Sequence, residues 1–137
     1  MSKTKLLFQT PVNGAVLRTG TTTNLTQDRH NNDHHHHHHH RDRGIDVRKY
    51  ESIRFSADNR AGSATAVTFN LYSTPKHGRP IRIARVRLAP GASYSNVYNV
   101  PGQWLTITAT SASARSSSAN GCGRRRRNVV DVAVYAR

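Results

Sequence analysis

The stretch SYSNVYNVPGQWLTITATS, residues Ser93 to Ser111, carries the plainest structural signal in the chain. Tyr94, Asn96, Tyr98 and Val100 share one parity, Pro101-Gly102 interrupts, and Leu105, Ile107 and Ala109 then alternate with Thr106, Thr108 and Thr110. A period of two in aromatic and β-branched residues on both sides of a break predicts two strands joined by a turn. Proline presets φ for a turn, and glycine tolerates the positive φ of a type II turn at its second position. A helix through Pro101 would cost about 3 kcal/mol or more, so both arms are extended.

Outward from this expected hairpin the same alternation recurs. Ser52 to Asp58 places Ile53, Phe55 and Ala57 on one face, and Ala64 to Tyr72 places Val67, Phe69 and Leu71 on one face. The two read as an antiparallel pair across a polar turn. In Ile81 to Leu88 the parity slips, and a bulge at Ala84-Arg85 would return Ile81, Ile83, Val86 and Leu88 to the core. Arg82, Arg85 and Arg87 then form an outward row. Lys5 to Thr10 reads as an edge strand ended by Pro11, Ala15 to Arg18 as its return, and Thr21 to Thr26 as a further extended piece. Val129 to Tyr135 is rich enough in valine to close the chain as a strand. About eight strands with no helix predict a single all-β domain over residues 1–137, an antiparallel β-sandwich of jelly-roll type with long loops.

At Pro101-Gly102, Leu105-Thr106-Ile107 and the closing Val132-Ala133-Val134-Tyr135, the chain resembles small bacterial jelly-roll domains, loosely galactose-binding-like. The resemblance covers residues 45–137. It implies binding of glycans or other ligands by loops at one end of the sandwich, but no loop here matches a sugar site, so no binding residue is carried over.

Charge is the strongest compositional feature. The 137 residues hold 21 Lys+Arg against seven Asp+Glu, a formal net charge of +14. From Arg60 onward Asp131 is the only acid. Such a chain attracts polyanions, either nucleic acid or acidic glycan, and arginine is the better bidentate partner for phosphate and carboxylate. A GC-rich genome, which yields arginine- and alanine-rich chains with solvated strand faces, would leave the same imprint. Arg124, Arg125, Arg126 and Arg127 end a Ser/Gly-rich loop spanning 111–127 and, with Arg82, Arg85 and Arg87, are the candidate polyanion contacts. They make one patch only if both groups share a face. The tetra-arginine run lacks interleaved aromatics, which favours non-specific attraction over base stacking.

A second loop, 28–44, has no apolar residue before Gly44 and holds His30 and the run His34, His35, His36, His37, His38, His39 and His40. Alternate imidazoles of an extended chain project together and suit Ni²⁺, Zn²⁺ or Cu²⁺, with Asp33 or Asp42 adding oxygen. An engineered tag or a tolerated repeat expansion has the same composition. Cys122 is alone, which excludes an intrachain disulfide and a paired-cysteine zinc site.

No secretory signal and no apolar run of about 18 residues is present, so the expectation is a cytoplasmic chain without a membrane span. Catalysis is not expected: there is no Gly-x-Ser-x-Gly, and a carboxylate pair would require Asp46, Glu51, Asp58 or Asp131 to converge. No cofactor is required by any motif. The expected function is a non-catalytic binding or structural module able to self-assemble through edge strands such as Lys5 to Thr10. A metal-binding protein and a polyanion binder are the rival classes.

Overall fold

The computed structural model describes residues 4–26, 44–113 and 127–137. Among these there are ten strands and no helix: β1 (Lys5–Gln9), β2 (Ala15–Arg18), β3 (Thr22–Asn24), β4 (Ile45–Asp46), β5 (Ser52–Asn59), β6 (Val67–Thr74), β7 (Ile81–Leu88), β8 (Ser93–Asn99), β9 (Trp104–Ser111) and β10 (Arg127–Ala136). One antiparallel sheet has the order β1-β10-β5-β8, with β2 also on β10, and the other has the order β3-β9-β6-β7, with β4 also on β9.

The excess over eight strands has a simple origin. β1 pairs with Ala133 to Ala136 and β2 with Arg127 to Val130, so the two lie end to end along one side of β10. Pro11 and Gly14, the latter at φ 83°, mark the break. Thr10 spans it, its backbone N–H and side chain bonding to Val132. β3 and β4 are likewise two pieces along β9, facing Ala109 and Leu105 respectively. Counting each broken strand once gives two four-stranded sheets of jelly-roll-like order.

Alternation set the faces, and the inner ones meet. Ile53, Phe55, Val130, Val132 and Val134 from one sheet and Val67, Phe69, Leu71, Leu105 and Ile107 from the other are all at most 1% exposed. Phe55 and Phe69 meet edge to face across the sandwich, ring centroids 5.8 Å apart. Asn128, like Asn59 of β5 whose Nδ2 donates to the Leu88 carbonyl of β7, is a buried polar tie between the layers. Asn128 Nδ2 donates to Thr65 Oγ1 and Ser111 Oγ, and its Oδ1 accepts from the Thr65 N–H. With both polar atoms of the Asn128 side chain partnered, these bonds favour one arrangement of the two sheets.

Three expectations are corrected. β8 and β9 are both extended, but they do not form a hairpin: β8 pairs with β5 and β9 with β6, in opposite sheets. β5 and β6 also belong to opposite sheets rather than to one antiparallel pair. Finally, Gly102 does not supply a positive φ. Its N–H donates to Ser73 Oγ at 2.7 Å, and a Cβ there would lie 2.7 Å from the Thr74 backbone. Glycine is needed at this turn for close approach of two segments of the backbone.

The bulge in β7 exists but sits one residue earlier than expected. Leu71 faces Ala84 while Tyr72 faces Arg82, leaving Ile83 as the extra residue. Ile81 keeps inward parity opposite Ser73, yet it is 56% exposed because it lies beyond the end of the core.

Candidate functional site

Two sheets present four lateral edges among the described residues, and three are blunted. β1 has a register break between Leu6 and Phe8 and is followed by Pro11. The β3/β4 edge consists of two short pieces, of three and two residues. β7 carries its bulge and three arginines. These are the usual protections against strand addition.

β8 has none of them. Ser93–Asn99 runs in unbroken register along β5, contains no proline, and carries no charge in a chain of net charge +14. Its hydrogen-bonding phase follows from the flanking bonds. Asn59 N–H donates to Ala92 C=O and Val100 N–H to Glu51 C=O. In an antiparallel ladder bonded positions alternate. Residues 94, 96 and 98 therefore bond inward to β5, and residues 93, 95, 97 and 99 present their backbone groups to the open side. One of these is already occupied: the Val97 N–H donates to Asn96 Oδ1 at 2.8 Å. Asn96 Nδ2 donates in turn to the Tyr94 hydroxyl at 3.1 Å, and the Tyr94 and Tyr98 hydroxyls lie 2.5 Å apart. Asn96 is thus folded back over the edge as a partial cap.

Burial, and after it the hydrogen bond to Tyr94, pushes the Tyr98 hydroxyl up to about 12. A raised value means that the folded state favours the protonated phenol. Its stabilisation is complete below the ordinary value near 10 and is lost as pH rises through about 12. In an ultraviolet difference titration one of the five tyrosines should ionise late, near pH 12. Tyr98→Phe should remove that late step, and a wild-type profile in the variant would refute the assignment.

The outer face of the other sheet is the second candidate surface. Its side chains form straight cross-strand rows, each ending in an arginine. One row runs Thr22, Thr110, Thr68, Arg87. The next runs Asn24, Thr108, Asn70, Arg85. A third runs Thr106, Tyr72, Arg82. The three arginines are outward and exposed, as the alternation predicted.

Of the remaining arginine candidates Arg127 is described: it opens β10 in the opposite sheet, where it faces Arg18, and so does not share a face with Arg82, Arg85 and Arg87. Arg124, Arg125 and Arg126 lie outside the described residues, as do His30, the run His34 to His40 and Cys122. The described chain leaves the edge of β9 after Thr26, whose Oγ1 accepts from the Ile107 N–H, and rejoins it where Ile45 faces Leu105. His77 is exposed in the loop between β6 and β7.

No protein-family model matches the chain, and no curated protein matches it. Among solved structures, one from Bacillus endospore appendages, described as forming a novel family of disulfide-linked pili, matches over 98% of this chain and 90% of that one. The identity is 12% and the TM-score 0.44. A likeness this loose carries no conclusion about what the present chain does. Of the resemblance drawn from the sequence, the all-β sandwich stands, and its galactose-binding part has no family match behind it.

Two of the acids do converge. Asp58 and Asp131 face each other across β5 and β10 on the outer side of their sheet. Arg60 holds Asp131 with two hydrogen bonds of 2.7 and 2.8 Å, and the Ser93 hydroxyl donates to Asp58 at 2.7 Å. Asp46 is gripped by Arg48, whose hydrogen bonds hold its carboxyl below the usual carboxylate range. That guanidinium also lies over the Trp104 ring, 5.3 Å from its centroid. Arg60 cancels charge beside Asp131 and Asp58, which explains how those two carboxylates tolerate facing positions. Among the described residues no three potential metal-ligating side chains come together.

From the sequence β8 reads as one arm of a hairpin and not as an open edge. The signal was there in the composition: seven consecutive residues without charge, beside a β7 that carries three arginines. Read one strand at a time, it had no meaning. It acquires one when β8 is placed at the end of a sheet.

Proposed function

We propose that this protein is a non-catalytic structural module that assembles with further copies of itself by strand addition along β8. The observation that supports this reading is the contrast between β8 and the other three edges. An edge without bulge, proline or charge, capped at one N–H alone by a movable Asn96 side chain, is a template for another strand. The occupant is a second copy, because charge selects against contacts elsewhere. Bringing two β7 edges together would juxtapose six arginines, whereas β8 against β8 places no charge opposite another. β1, the edge first expected to serve, is bulged and short and cannot continue a ladder of seven residues. An antiparallel β8–β8 contact is self-complementary about a two-fold axis and joins two four-stranded layers into one.

Size-exclusion chromatography with light scattering tests this at protein concentrations up to about 1 mM, where an association worth about 4 kcal/mol is half complete. The wild type should be dimeric at the upper end. Val97→Pro should be monomeric throughout while keeping its circular dichroism and denaturation midpoint, since the Val97 N–H makes no bond to β5 and edge proline is tolerated. As a second reading on the unmodified chain, the amides of Ser93, Ser95 and Asn99 should gain protection from hydrogen exchange as concentration rises. A monomer at all concentrations, or exchange at these amides that ignores concentration, would sink the proposal.

A further inference from the structure

We infer that the outer face formed by β3, β9, β6 and β7 binds a linear acidic polysaccharide, laid along β7. This surface belongs to the sheet that does not contain β8, so the inference is independent of self-assembly.

The charge lies on one margin only. Arg82, Arg85 and Arg87 stand at the open edge of the face, and none of them forms an ion pair with a described residue. Asp46, the one acid on this side of the sheet among the described residues, is already held by Arg48. The bulge at Ile83 matters here. Without it Arg82 and Arg85 would fall on opposite faces, because positions three apart in a regular strand have opposite parity. With it, three guanidiniums follow one another along the strand, each able to grip a carboxylate or sulfate with paired N–H donors.

Behind each arginine the row continues as hydroxyls and amides. Neighbouring groups recur about every 4.8 Å across the sheet and about 6.8 Å along it. The hydroxyls can both donate and accept, as Thr22 and Thr110 do with each other at 2.9 Å. A polymer that carries anionic groups along one side and many hydroxyls along the other matches this division. An acidic polysaccharide has that chemistry. Single-stranded nucleic acid fits it less well, because base stacking needs several exposed aromatic faces, and this face holds Tyr72, half-buried in the plane, and Trp104, whose ring already lies under the Arg48 guanidinium. The flat face also offers nothing to enter a duplex groove.

The test uses alginate, a polyuronate, with dextran as a neutral polysaccharide and poly(dT) as a single-stranded nucleic acid, followed by calorimetry at low and high salt. Alginate should bind most tightly and dextran should not bind. R82Q/R85Q/R87Q should weaken alginate by about tenfold or more, in keeping with three modest exposed ion pairs. R18Q/R127Q/R137Q removes the same charge from the other sheet and terminus and should leave alginate binding within about twofold. T108V/T110V keeps β-branched shape and should weaken alginate while leaving poly(dT) unaltered. Equal losses in the two arginine triples would reduce the effect to net charge and overturn the site. Binding of poly(dT) as tight as that of alginate would overturn the ligand class, and so would T108V/T110V that binds alginate like the wild type.

Discussion

Gly44→Ala is expected to destabilise the fold by about 3 kcal/mol or more, a fall of roughly 10 °C in melting temperature for a domain of this size. Two costs combine. Gly44 has φ +96°, a region that disfavours any side chain, and a Cβ there would meet the Leu105 carbonyl oxygen at 2.3 Å and Thr106 Oγ1 at 2.9 Å. The first neighbour is backbone of the central strand β9 and cannot step aside, so either β9 shifts or β4 leaves the sheet. Thermal denaturation of the purified variant reads the effect, and a midpoint equal to that of the wild type would refute this account. The contrast with the adjoining segment is instructive. The described chain leaves β9 at Ile107, through Leu25 and Thr26, and returns to it where Ile45 faces Leu105, two positions along the same strand; residues 27–43 lie between. Replacing those 17 residues by a linker of about four should therefore leave stability unchanged or raise it by about 1 kcal/mol through the smaller loop-closure cost. One added methyl at Gly44 thus outweighs removal of the whole histidine-bearing segment.

The difference reflects what a sequence states locally. Which residues of β5, β6, β9 and β10 point inward was legible, because side chains alternate with period two and the buried parity is apolar. Arg82, Arg85 and Arg87 were placed outward for the same reason, bulge included. Strand partners were not legible. Phe55 and Phe69 each sit in a sequence of apolar alternation, and both halves of a sandwich bury the same kind of face, so nothing in either stretch says that they lie in opposite sheets. The preference for pairing consecutive strands then misled at β5/β6 and again at β8/β9. Gly102 misled differently: a Pro-Gly dipeptide fits a type II turn, while the actual demand on Gly102 is the approach of Thr74, more than twenty residues away. The openness of β8 is likewise a non-local fact, since an edge exists only by virtue of what does not pair beyond it.

Phe55→Ala is the substitution expected to reach from the core to that edge. Phe55 is fully buried, meets Phe69 of the facing sheet at 5.8 Å and lies 6.3 Å from the ring of Tyr94 on β8. Truncation removes the ring that both partners pack on, and the rigid backbones on either side cannot close the gap. A loss of about 3–5 kcal/mol follows, a large part of the 5–15 kcal/mol that holds a typical domain folded. Phe55→Leu, which keeps most of the volume, should cost about 1.5 kcal/mol or less. Urea denaturation of the two variants distinguishes them by midpoint at similar slope. The consequence for β8 is specific. Tyr94 rests on Phe55, and its hydroxyl anchors both Tyr98 and the Asn96 side chain that caps the Val97 N–H. Loosening Tyr94 should release that cap, so Phe55→Ala should accelerate hydrogen exchange at Val97 under conditions where the amides of β10 remain protected. If Val97 and β10 exchange together, the variant is unfolding globally and the ring acts through the core alone. If Val97 opens first, the edge and its cap are a separately unlocking unit, held shut by one buried phenylalanine.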